Sequence, residues 1–418
     1  MNDGYEEVRI GPKKVKIPEE WQRVSLESIS KNSGQYGANQ SAIPFDENEY
    51  RYIRVTDLTE NGHLSNEEKK SIPKEDNEKY ELKNGDIVFA RTGTPGLTYV
   101  FNENDSNIDY AFAGYLIRFE LKDNIDSNYL SYYTQSYHYW SWIKSTQRST
   151  TLSNINASEF RTLPIIKPSS SEQRRIAEIL SIVDDAIQKT DEVIEKAERL
   201  KKGLMQNLLT KGIGHDEFKE VQIGPKTVEI PERWEVSVLS DVSDIKMGQS
   251  PPGSSYNENG NGMPFFQGNA EFNDIYPIVE KWTTDPKKTA DKNDILISVR
   301  APVGEINIAP KECCIGRGLS SIKANKKSLN KYLFYILKEN KDQLKSFSQG
   351  STFKSINSDV LQNFSIPIPP LEEQKKILNI ISKIDNKIQK EKSHKEKLQT
   401  LKKGLMQDLL TGKVRVNT

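Results

Sequence analysis

Two stretches of this chain have nearly the same sequence: residues 200–210 read LKKGLMQNLLT, and residues 401–411 read LKKGLMQDLLT. Each ends a segment of about 40 residues that begins near a Glu-Gln pair, and the two segments align without a gap. Apolar residues recur in both segments at alternating steps of four and three, which is typical of a helix that pairs with another helix. The sequence therefore predicts two long helices, at Ser171–Thr210 and Glu372–Thr411.

The regions that precede the two predicted helices are also repeats of each other. Residues 10–21 read IGPKKVKIPEEW and residues 223–234 read IGPKTVEIPERW, whereas the middles of the two regions differ. The chain thus alternates between globular regions and helices. The predicted domains are a first globular domain at 1–168, a central long helix at 169–212, a second globular domain at 213–369, and a second long helix with its tail at 370–418.

Each globular region is expected to be a mixed α/β (α+β) domain. Short apolar runs bounded by Gly, Asn and Asp are typical of strands. Four such runs are Asp86–Ala90, Ala113–Phe119, Ile295–Val299 and Ile315–Ile322. The aromatic-rich runs Asn128–Ile143 and Leu329–Phe347 are each predicted to form one helix.

The two long helices are expected to pair antiparallel within one chain, as an intramolecular coiled coil with a pseudo-two-fold duplication. In the first copy, Ser170 and Gln173 have the spacing of a capping box. Gly212 and Gly412 stand where helix-ending glycines belong.

The apolar seam of the helices is interrupted by polar residues at Thr190, Glu391 and Lys395. Such a layer either fixes the register of the paired helices or faces a partner protein, and the sequence leaves both alternatives open. Gly203 and Gly404 lie inside the helical pattern, where a glycine costs roughly 1 kcal/mol relative to alanine. We expect a close helix contact or a bend at these two positions.

The composition excludes several classes of protein. No apolar run approaches the length of about 18 residues that a membrane span needs, and the N-terminus lacks the regions of a signal peptide. The 59 basic and 59 acidic side chains balance, which argues against an indiscriminate polyanion binder but allows local basic patches. The two cysteines are adjacent, so no disulfide framework or zinc site is predicted. We expect a cytoplasmic protein.

Catalytic and cofactor motifs are missing from the sequence. The four histidines lie in separate contexts without metal-ligand spacing, and no phosphate-binding loop or nucleophile elbow occurs. The glycine turns Gly93–Gly96 and Gly316–Gly318 do not open an amphipathic helix, as a nucleotide-binding loop would. We therefore expect no metal, no cofactor and no catalytic activity in this chain.

Polar loops that are rich in hydrogen-bond donors and poor in carboxylates precede both long helices. Such side chains suit the phosphates and base edges of nucleic acid. Arg54 and Gln267 are predicted at equivalent positions after a strand, where Arg prefers guanine and Gln prefers adenine, and Arg91 and Arg300 follow another pair of equivalent strands. Each residue taken singly is also explained as ordinary surface, but recurrence in both halves favours a binding role. The predicted DNA-binding residues are Arg54, Arg91, Lys144, Thr146, Gln147, Arg148, Gln267, Asn269, Arg300, Gln349, Ser351, Thr352 and Lys354.

Three groups of residues carry a family resemblance: PPLEEQKKI at 369–377, KGLMQDLLTG at 403–412, and the Ile-Pro-Glu-x-Trp openings at Ile17 and Ile230. Together they resemble the specificity subunits of type I restriction–modification systems, and the resemblance covers essentially the whole chain. The first copy departs from the pattern at 168–171, which read PSSS where the second copy reads PPLE. We expect this difference to alter only the entry to the helix.

The resemblance implies a function. Each globular half would be a target recognition domain that reads one part of a split, asymmetric site in double-stranded DNA. The paired helices would space the two halves and would dock two modification (methyltransferase) subunits, which hold S-adenosylmethionine and carry out the chemistry. Motor-nuclease restriction subunits would join for cleavage. The residues expected to contact these partners are Gln173, Lys202, Met205, Gln374, Lys403 and Met406.

Three alternatives stay open on the sequence alone. The chain could serve a Type IIB-like complex as its specificity subunit, it could be a coiled-coil scaffold that binds only proteins, or it could be an unrecognised enzyme. The identity of the partner complex separates the first alternative. DNA association that depends on salt and sequence separates the second, and assays of the isolated chain for nuclease or methylation activity separate the third.

Overall fold

The computed structural model describes residues 4–103, 107–147, 154–223, 226–346 and 355–417. The chain forms two compact units: unit 1 comprises Met1–Asp191 and Ser393–Thr418, and unit 2 comprises Glu192–Lys392. Each unit contains one globular region and a part of each long helix. The predicted boundaries follow chain order, whereas each compact unit also takes in parts of both long helices.

In the described residues, four short helices precede each of the two long helices. In chain order they are α1 (Leu26–Ile29), α2 (Ser127–Tyr133), α3 (Tyr137–Gln147), α4 (Ala157–Arg161), α5 (Ser170–Thr210), α6 (Leu239–Val242), α7 (Asn330–Glu339), α8 (Lys341–Ser346), α9 (Ser358–Gln362) and α10 (Leu371–Leu409). The two predicted long helices are therefore present as α5 and α10. None of the helices within the described residues is long and apolar enough to cross a membrane.

The described residues of unit 1 form two four-stranded sheets and two strand pairs. Its strands are β1 (Tyr5–Ile10), β2 (Lys13–Pro18), β3 (Gln22–Ser25), β4 (Gln35–Tyr36), β5 (Ile43–Pro44), β6 (Tyr50–Ile53), β7 (Lys70–Ile72), β8 (Ile87–Ala90), β9 (Thr98–Val100), β10 (Tyr110–Phe112), β11 (Leu116–Phe119) and β12 (Pro164–Lys167). One sheet has the antiparallel order β4-β11-β8-β9, and the other has the order β10-β6-β7-β5, in which β6 and β10 run parallel. The remaining pairs are β1-β2 and β12-β3.

Unit 2 repeats this plan with one additional strand. Its strands are β13 (Phe218–Ile223), β14 (Lys226–Pro231), β15 (Glu235–Val238), β16 (Ser243–Met247), β17 (Tyr256–Asn257), β18 (Met263–Phe266), β19 (Trp282–Thr283), β20 (Thr289–Ala290), β21 (Ile295–Ser298), β22 (Ile306–Ile308), β23 (Cys313–Ile315), β24 (Leu319–Ala324) and β25 (Ser365–Ile368). The sheet β16-β24-β21-β22 corresponds to β4-β11-β8-β9. The sheet β17-β19-β18-β23-β20 contains the parallel pair β18 and β23, which corresponds to β6 and β10. The mixed α/β class is confirmed in both units.

The prediction of one aromatic-rich helix in each globular region is wrong, because each run is divided into two helices. In unit 1, α2 ends at Tyr133 with Thr134 as its C-cap. The hydroxyl of Ser136, just before α3, accepts a hydrogen bond from Tyr139 N in the first turn of that helix (3.2 Å). In unit 2, α7 ends at Glu339, and the side chain of its C-cap, Asn340, donates to the carbonyl of Ile336 (2.7 Å). Polar side chains that bond to the backbone interrupt both runs.

The core of each unit is closed by the start of one long helix and the end of the other. In unit 1, Ile176 and Leu180 of α5 and the Leu409–Leu410 pair pack in one apolar cluster with Trp21. In unit 2, the matching cluster joins Leu208 and Leu209 of α5 to Ile377 and Ile381 of α10 and to Trp234. Burial against the globular region therefore stabilises helices that would be marginal alone.

The first long helix begins with a capping box that lies one residue earlier than predicted. Ser169 Oγ accepts from Glu172 N (3.3 Å), and Glu172 Oε2 accepts from Ser169 N (3.3 Å). The predicted pair, Ser170 and Gln173, does not form the box, because the Gln173 amide is directed into the globular region. The two pairs have the same spacing, so the sequence alone does not distinguish between them.

The Glu172 carboxylate also joins three distant parts of unit 1. One oxygen accepts from the indole Nε1 of Trp21 (3.1 Å), and the other accepts from the guanidinium of Arg415 (2.7 and 2.9 Å). The Glu172 side chain thereby ties the start of α5 to the chain after α10. We call this group the unit 1 clamp.

A matching group in unit 2 forms the unit 2 clamp. The Glu373 carboxylate accepts from Trp234 Nε1 (3.1 Å) and from Ile213 N (3.0 Å). His215 Nε2 lies 2.8 Å from Glu373 Oε1, where unit 1 has the arginine. Gly212, just before this segment, adopts a φ of +67°, as predicted for a helix-ending glycine. Gly412 has the same role after α10, with a φ of +71°.

Within each unit the two long helices are joined by ion pairs. These are Asp184–Lys402 and Asp191–Lys395 in unit 1, and Glu198–Lys392 and Lys201–Asp385 in unit 2, with N–O distances of 2.5 to 2.8 Å. Residue numbers rise along α5 as they fall along α10, so the helices run antiparallel in each unit. In the predicted polar interval, Lys395 pairs with Asp191, and Thr190 Oγ1 donates to the carbonyl of Ala186 (2.7 Å).

Candidate nucleic-acid interface

Four segments of unit 2 meet where strands of its two sheets end. They are residues 248–250 after β16, 267–269 after β18, 299–300 after β21 and 316–318 after β23, and we call them the unit 2 edge. Backbone hydrogen bonds join the segments: Gly316 N donates to Phe266 O (2.8 Å), Gly318 N to Gln267 O (3.2 Å), and Val299 N to Gly318 O (2.9 Å). The edge is thus one connected surface.

Glycines allow the backbones of the unit 2 edge to approach closely. A Cβ at Gly248 would lie 2.2 Å from the carbonyl oxygen of Gly316, and a Cβ at Gly318 would lie 2.6 Å from that of Gln267. No side chain fits at either distance, so only glycine permits this arrangement. Close packing of the backbone therefore explains why glycines stand at 316 and 318.

The side chains of the unit 2 edge include two arginines and no acid. Ser250 Oγ donates to Gln267 Oε1 (3.0 Å) and accepts from the backbone N of Arg317 (3.1 Å). Arg300 and Arg317 are both exposed. Asn269 is half-buried and lines a cavity of about 260 Å³ together with Lys338.

Unit 1 has the same junction, the unit 1 edge, formed by residues 36–39, Arg54, Arg91 and residues 113–115. Ala113 N donates to Ile53 O (2.9 Å), and Arg91 N donates to Tyr115 O (3.0 Å). A Cβ at Gly37 would lie 2.2 Å from the carbonyl oxygen of Phe112, as at Gly248 in unit 2. The two edges therefore share one backbone arrangement.

Aromatic side chains distinguish the unit 1 edge from the unit 2 edge. The guanidinium of Arg91 lies over the ring of Tyr36, 4.9 Å from its centroid, and its Nε donates to Asn154 Oδ1 (3.3 Å). Tyr36 and Tyr115 are 40% and 62% exposed. Exposed rings beside a cation are suited to stacking on unpaired bases or sugars and to bonding through their hydroxyl groups.

Arg54 is largely satisfied inside unit 1. Its Nε and one terminal nitrogen donate to the two carboxylate oxygens of Asp57 (3.2 and 2.8 Å), and the same terminal nitrogen donates to the carbonyl of Glu68 (2.7 Å). The hydrogen bond that Arg54 donates to the Asp57 carboxylate raises the pKa of Arg54 despite partial burial. This arginine therefore offers DNA only part of its guanidinium.

Both predicted correspondences between the two halves are present in the fold, one residue by residue and the other at the level of the strands. Arg54 and Gln267 are equivalent in the fold, because each directly follows the strand that runs parallel to its neighbour. Arg91 corresponds to Val299, because both backbone N–H groups donate to the same turn, at Tyr115 and Gly318. Arg300 lies one residue further along, so Arg91 and Arg300 follow equivalent strands, as predicted, at positions that differ by one residue.

Comparison with known proteins agrees with this duplicated plan. The family model "Type I restriction modification DNA specificity domain" matches residues 18–199 and 231–400, one match for each half. The chain belongs to this family. The protein assigned as the MjaX specificity subunit of a type I restriction enzyme in Methanocaldococcus jannaschii is 38% identical, over 100% of this chain and 98% of its own length. The MjaVIII specificity subunit of the same organism is 31% identical over 76% of this chain and 80% of its own.

Solved structures of the family have the same fold as this chain. A chain from a study of complex assembly and conformational transition in the type I R-M system has a TM-score of 0.62 and 25% identity, and the match covers 96% of this chain and 100% of that one. The HsdS subunit from Thermoanaerobacter tengcongensis has a TM-score of 0.51 and 25% identity, with 97% and 99% of the chains covered.

The other DNA-binding residues predicted for this family member lie near the edge or outside the described residues. Lys144, Thr146 and Gln147 form the last turn of α3. That helix packs beside the unit 1 edge. Its Ile143 side chain lies against Gly96, where an added Cβ would be 3.0 Å away, and Gly96 follows Arg91 by five residues. The predicted residues that lie outside the described ranges are Arg148, Gln349, Ser351, Thr352 and Lys354.

Two of the predicted partner-binding residues, the glutamines of the two Glu-Gln pairs, are buried inside the protein. Gln173 is 0% exposed; its Oε1 accepts from Asp126 N (2.8 Å) and its Nε2 donates to Pro168 O (2.9 Å). Gln374 is also 0% exposed and accepts from Leu329 N (3.0 Å). These amides tie the long helices to their globular regions, and their burial argues against direct contact with a partner.

The remaining partner-binding candidates divide between core and surface. Met205 is buried in the core of unit 2, and Met406 is half-buried against the core of unit 1. Lys202 and Lys403 are exposed. The expectation of a close helix contact at the neighbouring glycines is wrong, because a Cβ at Gly203 or Gly404 would meet nothing within 4 Å.

Sequence reasoning missed several residues of the two edges. They are Tyr36, Tyr115, Ser250 and Arg317, which strand pairing places there. No motif in the sequence marks the first three, whereas Arg317 lies within the glycine turn Gly316–Gly318. The signal that could have found Arg317 is the glycine on each side of it, since flanking glycines often mark a place where backbones come close together.

Proposed function

We propose that this chain is the DNA sequence-recognition subunit of a type I restriction–modification complex, and that each unit reads one part of a bipartite, asymmetric DNA site. One observation carries the proposal: the two edges share a backbone arrangement and present different exposed side chains. Direct readout requires side-chain donors and acceptors at fixed positions, and a change of side chains on one frame changes the bases that are read.

The charge of the edges fits this role. Arg300 and Arg317 in unit 2, and Arg91 in unit 1, supply cationic donors for phosphates or for guanine. The chain as a whole has no net charge, so non-specific attraction to DNA is modest and local cations decide where DNA binds.

The long helices would form an antiparallel coiled coil within the chain that spaces the two readers and docks two methyltransferase subunits. Support comes from the antiparallel ion pairs in each unit and from the repeated, exposed Lys-Gly steps at Lys202–Gly203 and Lys403–Gly404. No packing inside the described residues requires glycine at these steps. Two equal surfaces on one chain suit two copies of one partner.

The chemistry in this proposal belongs to the partners, with S-adenosylmethionine held by the methyltransferase subunits and DNA cleavage carried out by motor-nuclease subunits. The recognition subunit fixes which adenine or cytosine reaches the methyltransferase active site. A place beside chromosomal DNA in the cytoplasm follows from this role.

The decisive experiment uses the full chain assembled with the methyltransferase subunits of its own system. The complex is incubated with genomic DNA and S-adenosylmethionine, and modified bases are mapped. We expect one bipartite motif with two different half-sites, and no modification from methyltransferase subunits alone. Modification that is independent of sequence, or a motif that is unchanged when the chain is replaced by another specificity subunit, would refute the proposal.

A further inference from the structure

Arg317 in the unit 2 edge is an exposed arginine whose side chain has no hydrogen bond or ion pair among the described residues. Arg54 in unit 1 is the opposite case, because Asp57 and Glu68 occupy much of its guanidinium. A guanidinium carries five N–H donors and no acceptor. Within the described part of the chain, no acceptor occupies any of these donors at Arg317.

The backbone that carries Arg317 is held on both sides. A Cβ at Gly316 would lie 2.8 Å from Gln267 Oε1, and Gly318 N donates to Gln267 O (3.2 Å). The N–H of Arg317 itself donates to Ser250 Oγ (3.1 Å). The flanking strands β23 and β24 are buried at Ile315 and Leu319. The Cα of Arg317 is thus held in place, and its side chain is exposed to solvent.

The chemistry of the neighbouring groups favours acceptors on the ligand. None of the side chains in the unit 2 edge is acidic, so no carboxylate of the edge itself competes for Arg317. Ser250 already donates to Gln267 Oε1, and the amide of Gln267 keeps its N–H₂ donors for a ligand. In the major groove, guanine presents two acceptors, N7 and O6, to an approaching arginine, whereas adenine presents one acceptor and one donor.

We propose that Arg317 is a specificity-determining residue that reads a guanine in the half-site of unit 2 through guanine O6 and N7. The inference rests on the proposed function and adds to it the base and the residue. A fixed Cα suits this role, because a bidentate contact to a base edge requires a defined approach, whereas a phosphate accepts a cation from many directions. The surrounding segments supply the fixed position and leave the guanidinium free.

The test maps modified sites for assembled complexes that contain the wild-type chain, Arg317→Ala, Arg317→Lys or Arg233→Ala. Arg233 is the matched control, because it is an exposed arginine of unit 2 outside the edge. We expect Arg317→Ala to reduce the preference for guanine at one position of one half-site by about 10-fold or more. The other positions and the other half-site should keep their sequence. Arg317→Lys should retain part of the preference, since lysine also reaches guanine, and Arg233→Ala should match wild type.

Three results would overturn the inference: Arg317→Ala with an unchanged motif, Arg317→Ala with equally reduced modification of every site, or a wild-type unit 2 half-site without a G·C pair. Reduction at every site would identify a phosphate contact. The wild-type arm separates these results from failure of the proposed function, because that failure appears as modification without a bipartite motif. Thermal unfolding of Arg317→Ala is expected to match wild type, since the side chain has no hydrogen bond or ion pair with any residue that the structure describes.

Discussion

The edges of unit 1 and unit 2 share a backbone and differ in their side chains. In both units a glycine lets neighbouring segments touch, and the same turn accepts a hydrogen bond from the segment beyond β8 or β21. Unit 1 presents Tyr36 and Tyr115 there, whereas unit 2 presents Gln267 and Arg317. The two copies therefore agree where backbone geometry requires it and differ where a side chain has few contacts inside the protein.

The clamps give the opposite result, because they agree in their side chains. Glu172 and Glu373 each accept from a buried tryptophan indole. A second side chain bonds to each carboxylate, and it is Arg415 in one unit and His215 in the other. Removing one member of such a group leaves a buried polar atom without a partner, which costs about 1–3 kcal/mol. We call the clamps and the cores that they join the frame of each unit. Internal hydrogen bonds constrain the side chains of the frame, whereas the exposed side chains of the edge are free to differ between the units.

Replacing Trp21 or Trp234 with alanine tests whether the two tryptophans contribute equally to the free energy of unfolding. The indoles are 2% and 0% exposed and pack in the cores of their units. Each variant is expected to lose about 3–5 kcal/mol of the free energy of unfolding. Denaturant titration followed by circular dichroism measures the loss. Tyr115→Ala is the control, because this side chain is 62% exposed. A large loss in only one of the two tryptophan variants would break the equivalence.

Glu172→Gln and Glu373→Gln remove the clamp carboxylates, and we expect each variant to cost about 2 kcal/mol at pH 7. Burial raises the pKa of Glu172, but hydrogen bonds from Arg415, Ser169 and Trp21 outweigh it, so the pKa lies below its ordinary value of 4.5. A lowered folded-state pKa adds stability above the unfolded-state pKa, and this stability disappears as the pH falls through the folded-state pKa.

The pH dependence therefore distinguishes a charged clamp in unit 1 from mere packing. Below the folded-state pKa the wild-type carboxyl of Glu172 is protonated, so Glu172→Gln should cost less there than at pH 7. Urea titrations at the two pH values measure the difference, and Glu178→Gln, an exposed glutamate on the same helix, is the control. An equal cost at both pH values would contradict an ionic role for Glu172.

Gly248→Ala and Gly37→Ala test the shared backbone of the edges. The added Cβ would lie 2.2 Å from a carbonyl oxygen in each case, so each variant is expected to cost about 1–3 kcal/mol of stability. Gly268→Ala is the control, because a Cβ there meets nothing within 4 Å. Maps of modified sites should show Gly248→Ala altering only the half-site read by unit 2 and Gly37→Ala only that read by unit 1. Changes in both half-sites from either variant would mean that the edges do not read separately.

The frame could be predicted from the sequence because it is periodic and repeated. The apolar steps of α5 and α10 and the glycines after them follow local rules, and the structure contains both helices and both positive φ angles. The capping box differs by one residue, because the choice between Glu172 and Gln173 depends on which side chain the globular region binds. Tertiary contacts, which local spacing does not encode, decide that choice.

The site was harder to predict because strand pairing assembles it. Arg54 has the right chemistry for DNA, but Asp57, three residues later, takes its guanidinium. That local acid was a usable signal in the sequence. Arg317 depends on Ser250, which is 67 residues away, and no local pattern reports such a contact. The sequence therefore predicts that the site is polar and cationic better than it predicts which residues form it.

Lys202→Glu and Lys403→Glu have the smallest expected effect on stability and test whether the repeated helix ends are equal docking surfaces. Both lysines are exposed and have no ion pair among the described residues, so each change should alter the free energy of unfolding by no more than about 0.5 kcal/mol. We expect each single variant to lose one methyltransferase subunit from the complex and the double variant to lose both, as measured by native mass spectrometry. Lys397→Glu, another exposed lysine of α10, is the control and should keep both subunits. If the double variant also keeps both, partner docking lies elsewhere on the chain; if one single variant releases both subunits, the two surfaces are coupled and the duplication of the helices is not a duplication of independent docking sites.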